Sequence, residues 1–155
     1  MIIQAKKVTS RNFAAFGAVV TNPAGNPTSQ AADYKFWSDI AHYLIDGETE
    51  IGICTVYRQA KAEISGMERH LRTPEILIPI DGPFVLPLLC DGHPEEEAEA
   101  FRVEVGEAVV ISKAVWHGAC LPVDKAQVSY FVIFRRNTPH EDVAKKDVRR
   151  FAVTV

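Results

Sequence analysis

Residues 67–82 read MERHLRTPEILIPIDG, and this stretch sets how the rest of the chain is to be read. Glu68 and His70 stand two residues apart, so on an extended strand both side chains point to the same face. Arg69 has the opposite parity and points away from them. Glu75 then opens the apolar run Ile76–Ile80, which Pro79 and the Asp81–Gly82 turn cut short. A helix needs a longer unbroken segment, so the run predicts a buried strand. A second stretch, GEAVVISKAVWH at residues 106–117, reads as a glycine, a strand and a turn that end at His117. Imidazoles and carboxylates converging from neighbouring strands are what a divalent metal requires, with roughly three or four ligands each ~2.0–2.2 Å from the ion. The same groups can also act as general acids and bases with no metal at all.

Working outward, the flanking segments share this short-strand character. Ile51, Ile53, Thr55 and Tyr57 alternate, Pro83–Cys90 is a second apolar run, and Phe101, Val103 and Val105 alternate with Arg102 and Glu104. Val109–Ile111, Val115–Trp116 and Gln127–Phe134 are rich in β-branched and aromatic residues, as strands are. Ser10–Phe16, closed by Gly17, predicts a short helix, and Glu141–Arg150 a second one. Phe151–Val155 predicts a terminal strand. Asn22–Gln30 (NPAGNPTSQ) and the acidic Asp91–Ala100 (DGHPEEEAEA) read as loops. Short strands with turns every 8–12 residues or so indicate an antiparallel barrel or sandwich. Periodicity does not choose between the two.

The chain has 155 residues, 47% of them hydrophobic and 24% charged, enough for a single core and one domain over residues 1–155. Seventeen Lys+Arg against twenty Asp+Glu leave a net charge of −3, which argues against a nucleic-acid partner. Cys54, Cys90 and Cys120 are odd in number and lack a CxxC pair, so they predict buried, reduced thiols. The start, MIIQAKKVTS, has no apolar signal-peptide core, and Ile76–Cys90 is broken by prolines and a turn, so neither predicts a membrane helix. The expectation is a soluble cytoplasmic protein.

Within this frame His70, His117 and Glu75 are the candidate catalytic groups. Glu68, His70, Glu75 and His117 are the candidate ligands of one divalent ion, with Zn, Ni, Mn or Fe matching nitrogen and oxygen donors. Lys113 lies four residues before His117 and shares its parity if the segment is extended, which would turn it into the same cavity. Arg58 and Arg135 each end a strand, where a guanidinium can hold a carboxylate bidentately. These three are the candidate binding groups for a small carboxylic acid substrate. His42, His93 and His140 match no such spacing and are assigned to the surface. Trp116, Phe84, Tyr130 and Phe131 are assigned mainly to the core.

The two stretches resemble the short motifs of the cupin superfamily, small β-barrels whose interior often holds a metal. Glu68-x-His70-x4-Glu75-x6-Gly82 follows the first motif with Glu68 in place of its first histidine, and Gly106 to His117 keeps the eleven-residue interval of the second. The order of segments is similar, more narrowly, to the ureidoglycolate lyase family. The matching pieces are FAAFGAVV (Phe13–Val20), KFWSDIA (Lys35–Ala41), the strand ending at Tyr57–Arg58, MERH (Met67–His70), ILIPIDG (Ile76–Gly82), VWHGACLP (Val115–Pro122) and YFVIFRRN (Tyr130–Asn137). The chain departs from that family at Glu75, where an amide is usual, at Gly118–Ala119, and at Phe134, where an acid commonly precedes the late arginine.

The resemblance implies an all-β, cupin-like antiparallel barrel of jelly-roll type with one or two short helices. It also implies a carbon–nitrogen lyase that splits ureidoglycolate into glyoxylate and urea in allantoin and purine nitrogen catabolism. Apolar edge strands in a small barrel predict a homodimer. A metal-dependent cupin enzyme of other chemistry (dioxygenase, isomerase or decarboxylase) and a non-catalytic ligand-binding cupin stay open as alternatives.

Overall fold

The alternating segments become strands throughout. The structure is a computed structural model describing residues 1–154. In chain order the strands are β1 (Ile2–Gln4), β2 (Lys6–Lys7), β3 (Gly17–Val20), β4 (Ser29–Gln30), β5 (Lys35–Phe36), β6 (Thr49–Tyr57), β7 (Glu63–Arg69) and β8 (Glu75–Pro79). There follow β9 (Phe84–Leu89), β10 (Glu99–Val103), β11 (Ala108–Ile111), β12 (Trp116–His117), β13 (Leu121–Pro122), β14 (Gln127–Arg135) and β15 (Ala144–Thr154). A four-residue helix, α1 (Thr138–Glu141), and a 3-10 turn at Glu95–Glu97 are the only helical pieces among the described residues.

The strands form two large sheets and one small hairpin, β4–β5. The first sheet runs β1-β15-β7-β12-β9-β10-β2, with β13 also on β9, and the second runs β3-β11-β8-β14-β6. Pairing is antiparallel except for β1 with β15 and β2 with β10. Because β1 and β2 are consecutive pieces of one extended segment, they link the two ends of the first sheet and curl it round. The all-β, barrel-like expectation holds.

Period-two alternation gives the first sheet two apolar faces. On β9 all six residues are buried, because Phe84, Leu86 and Leu88 point between the sheets while Val85 and Leu89 point the other way. Between the sheets, Phe13, Phe16 and Phe101 meet with ring centroids 5.2–6.0 Å apart, packed with Leu77, Val109 and Tyr130. On the opposite face lie Met67, Val85 and Trp116, enclosed by Ile3 of β1 and Val148, Phe151 and Val153 of β15. Each large apolar side chain buried in these clusters stabilises the fold by about 1.5–3 kcal/mol.

Two local expectations change. Glu141–Arg150 is not a helix, since the helical turn comes earlier and Ala144–Thr154 is strand. Asp142 leaves the turn at φ −142°, and its carboxylate accepts the Leu71 and Arg72 N–H groups at 2.9 and 2.8 Å. The ladder that β15 forms on β7 outweighs the weak helix preference of this segment. A bulge between Asp147 and Phe151 brings Val148 and Phe151 to one cluster despite their odd spacing.

Ser10–Phe16 forms consecutive turns rather than a helix. Thr9 and Asn12 cap each other there, side chain to backbone N–H, at 2.9 and 3.1 Å. The glycine that follows is obligatory: Gly17 has φ 151°, and a Cβ on it would lie 1.8 Å from the Val110 carbonyl oxygen. The terminal strand is present through Thr154 as the end of β15, and Val155 lies outside the described residues.

Candidate active site

Between the sheets lies a cavity of about 640 Å³. Its second-sheet wall is made by Cys54, Val56, Leu77, Tyr130, Val132 and Phe134, and Leu86, Gly118 and Cys120 face them from the first-sheet side. Strand parity delivers the polar groups. β7 turns Glu68 inward together with His70, which follows at its end, and β12 sets His117 directly opposite Glu68 in an antiparallel pair. Glu75, the first residue of β8, enters from the other sheet. His70, Glu75 and His117 are all buried.

One carboxylate oxygen organises the centre. Glu75 Oε2 lies 2.9 Å from His70 Nε2 and 3.1 Å from His117 Nε2, and the two imidazole centroids are 5.2 Å apart. Burial alone would push the Glu75 carboxyl up, but the His117 and His70 rings overcome it and hold the pKa at about 2, below the ordinary 4.5. For His70, burial works to lower the pKa, yet the bond to Glu75, its charge, the Asp142 carbonyl and Glu68 together raise it above 6.5. The second ring nitrogen, His70 Nδ1, lies 2.6 Å from the Asp142 carbonyl oxygen. A carbonyl only accepts, so Nδ1 carries the hydrogen and Nε2 is turned to Glu75. The deep end of the cavity stays neutral, because burial raises the Cys120 thiol and the Tyr130 hydroxyl far above their usual values.

His117 differs from His70 in one respect. Its Nε2 keeps a 3.1 Å contact with Glu75 Oε2 but is a buried nitrogen without a well-formed hydrogen bond among the described residues. Glu68, His70 and His117 offer ligand atoms that all lie within 4.8 Å of one another. A bare imidazole nitrogen beside a second imidazole and a carboxylate fits a divalent ion of nitrogen and oxygen preference.

Glu68, His70, Glu75 and His117 are therefore brought together, whereas the three expected cations are not. Lys113 had been placed by strand parity, but Ser112–Val115 turns, with Ala114 at φ 66°, and Lys113 lines a separate shallow depression beside His42 and Tyr43. Arg58 is exposed just beyond β6, on Ala126. Arg135 follows the inward-facing Phe134, so it has the outward parity and packs near Gly47. The cations that do line the cavity are Lys145 and Lys146 of β15. The helical reading of residues 141–150 hid them. As a strand paired to β7, the same residues fall next to Glu68. His42, His93 and His140 are on the surface.

Facing sheets with an inward cluster of imidazoles and carboxylates make an all-β, barrel-like fold with a buried polar centre. The family profile described as ureidoglycolate lyase matches residues 1–154. The chain belongs to the ureidoglycolate lyase family. No curated protein matches the sequence. Among solved structures, the oxalate decarboxylase of Bacillus subtilis is similar over 66% of this chain and 24% of its own, at 16% identity and a TM-score of 0.48. That of Lactobacillus farciminis, solved as a formate complex, matches 63% of this chain and 26% of its own at 12% identity and 0.47. The vicilin of Solanum melongena matches 64% and 26% at 9% identity and 0.47. The chain thus spans about a quarter of the length of these proteins.

Proposed function

We propose that the protein is a carbon–nitrogen lyase that splits ureidoglycolate into glyoxylate and urea. The observation carrying this reading is the single Glu75 oxygen in contact with both imidazole Nε2 atoms. The reaction is an elimination from a carbinol-urea. His117, which lines the cavity, takes the hydroxyl proton in its neutral form as the carbonyl forms. The C–N electron pair moves onto the urea nitrogen, and His70, held as imidazolium by Glu75, supplies that nitrogen's proton by way of the Glu75 carboxylate, which lines the cavity. His117 has then gained one proton and His70 has lost one, and Glu75 between the rings passes it back. The apolar walls around Leu77, Leu86, Val132 and Phe134 exclude water and strengthen these charge interactions.

The bare His117 nitrogen also favours a second arrangement for the same activity. Glu68, His70 and His117 would hold one divalent ion, which when bound supplies Lewis-acid charge beside the substrate's carboxylate and forming carbonyl oxygen. The imidazole nitrogens are then committed, and Glu75 is left to take the hydroxyl proton. Glyoxylate release from ureidoglycolate, measured with chelator and with added Zn, Ni, Mn or Fe, separates the two. A rate unmoved by chelator supports the acid–base pair; a rate lost and then restored by one ion supports the metal. His117→Ala is expected to lower the rate by at least ~10²-fold in a protein that still unfolds in one cooperative transition. Wild-type turnover in a folded His117→Ala protein defeats the reading.

On this reading the protein works in the cytoplasm, in the recovery of nitrogen from allantoin, and its free thiols suit a reducing compartment. It acts as a homodimer through the outer face of the second sheet, where Ile51, Ile53 and Phe131 are exposed on β6 and β14. Light scattering reads that mass directly.

A further inference from the structure

We infer that Lys145 is the residue that binds the substrate's carboxylate, an inference that rests on the lyase reading above and names the group that reading leaves open. In the antiparallel pair of β15 and β7, Lys145 stands opposite Glu68 and Lys146 opposite Met67. Directly paired residues share a face of the sheet, so Lys145 is on the face of Glu68 and His70, while Lys146 is on the face of Met67. The contacts agree. Lys146 Nζ sits 4.6 Å from the centre of the Trp116 ring, on the side away from the imidazoles. Both lysines border the cavity, but Lys145 makes no ion pair with any described residue.

The charge balance of the cavity requires such a group. Glu50, Glu68, Glu75 and Asp147 line it alongside only those two lysines. A 2-hydroxy or 2-oxo acid entering there meets several carboxylates, and a cation must offset them. Lys146 is engaged on Trp116, and Lys113, Arg58 and Arg135 lie elsewhere. That leaves Lys145, an exposed side chain whose ammonium is free to meet an arriving anion. A carboxylate that does not change during C–N cleavage is held alike in ground and transition states, so its partner governs KM rather than kcat.

The test uses steady-state kinetics of wild type, Lys145→Gln, Lys145→Arg and Lys113→Ala, with the two products as inhibitors. For Lys145→Gln, KM for ureidoglycolate and the inhibition constant of glyoxylate should both rise at least ~10-fold, with kcat held within about twofold. Inhibition by urea, which has no charge, should not move. Lys145→Arg should restore most of the loss, and Lys113→Ala should match wild type. An unchanged KM in Lys145→Gln, or a Lys145→Arg protein as impaired as the Gln variant, overturns the inference. If wild type releases no glyoxylate at all, the lyase reading fails separately. Calorimetric titration with glyoxylate then decides this one: affinity weakened ~10-fold in Lys145→Gln upholds the anchor, and equal affinity overturns it.

Discussion

Trp116 and His117 are neighbours in sequence and stand on opposite faces of the same sheet, and the two faces treat charge in opposite ways. Around Trp116, Arg69 lies 4.3 Å and Lys146 4.6 Å from the ring centre. Asp91 is 2.6 Å from Arg69 Nη1 and accepts the indole N–H at 3.2 Å. Each charged group there sits against a neighbour, although Arg69 Nε, like His117 Nε2, is buried without a hydrogen bond among the described residues; cation–π contacts of this sort contribute about 0.5–2 kcal/mol each. Around His117 the residue types are similar, but they border open space: His117 and the unpaired Lys145 line the cavity, and Trp116 and Arg69 do not. One face is closed on itself and the other is open to a ligand. Alternation along β7, β12 and β15 alone separates them.

The strongest way to break this comparison is to remove the ring on the closed face. Trp116 is 8% exposed, and Trp116→Ala should cost ~3–5 kcal/mol of stability, read by urea denaturation. Turnover per folded molecule should fall by less than about tenfold, because Trp116 touches none of the imidazoles and carboxylates of the cavity. A stable Trp116→Ala protein with the activity loss expected of His117→Ala would mean that the two faces are not separate.

The next test is pH, where the open face should leave its own mark. In chelator-treated protein, ionised Glu75 stabilises the fold fully above its ordinary value of 4.5, and the contribution is lost as the pH falls from there to about 2. That drop corresponds to about 3 kcal/mol. His70 works in the other sense. Its raised pKa gives a contribution present in full below 6.5 and lost as the pH rises through the raised value. Stability should therefore peak between about pH 4.5 and 6.5, and Glu75→Gln should remove the acid limb. Denaturation midpoints that keep the same acid slope in Glu75→Gln would detach Glu75 from the histidines.

The open face was more legible in sequence than the cations that serve it. Glu68-x-His70 and the interval from Gly106 to His117 are short-range patterns, and strand parity converts them directly into position. Glu75 is placed from the other sheet, but it opens a run whose strand character is unambiguous. The cation required long-range pairing. Residues 141–150 carry charges that suit a helix, and only the ladder with β7 turns Lys145 and Lys146 to opposite faces. Lys113 failed for the converse reason, since its parity argument assumed an extended segment and a left-handed Ala114 breaks it. Arg135 was one residue out of phase with the inward Phe134. Likewise the overall fold followed from local alternation, while the parallel closure by β1 and β2 joins residues far apart in the chain.

The smallest expected effect concerns how the open face is held in place. Asp142 touches nothing in the cavity through its side chain, yet its backbone carbonyl fixes the His70 ring at 2.6 Å. Its carboxylate is what pins that carbonyl, by accepting the Leu71 and Arg72 N–H groups immediately after His70. Asp142→Ala removes this clamp and leaves two backbone donors to water at a cost of about 1 kcal/mol. With the ring free to tilt, kcat should fall by roughly 5–10-fold while KM holds, because a displaced proton donor weakens the transition state and not the binding of the carboxylate. Asp142→Asn, which keeps one acceptor oxygen, should lie between the two. A positioning role also predicts that the pH profile of kcat shifts toward acid, since the Asp142 carbonyl is one of the groups raising His70. Loss of stability with no change in kcat or its pH profile would make Asp142 a turn residue only, and would leave His70 positioned by Glu75 alone.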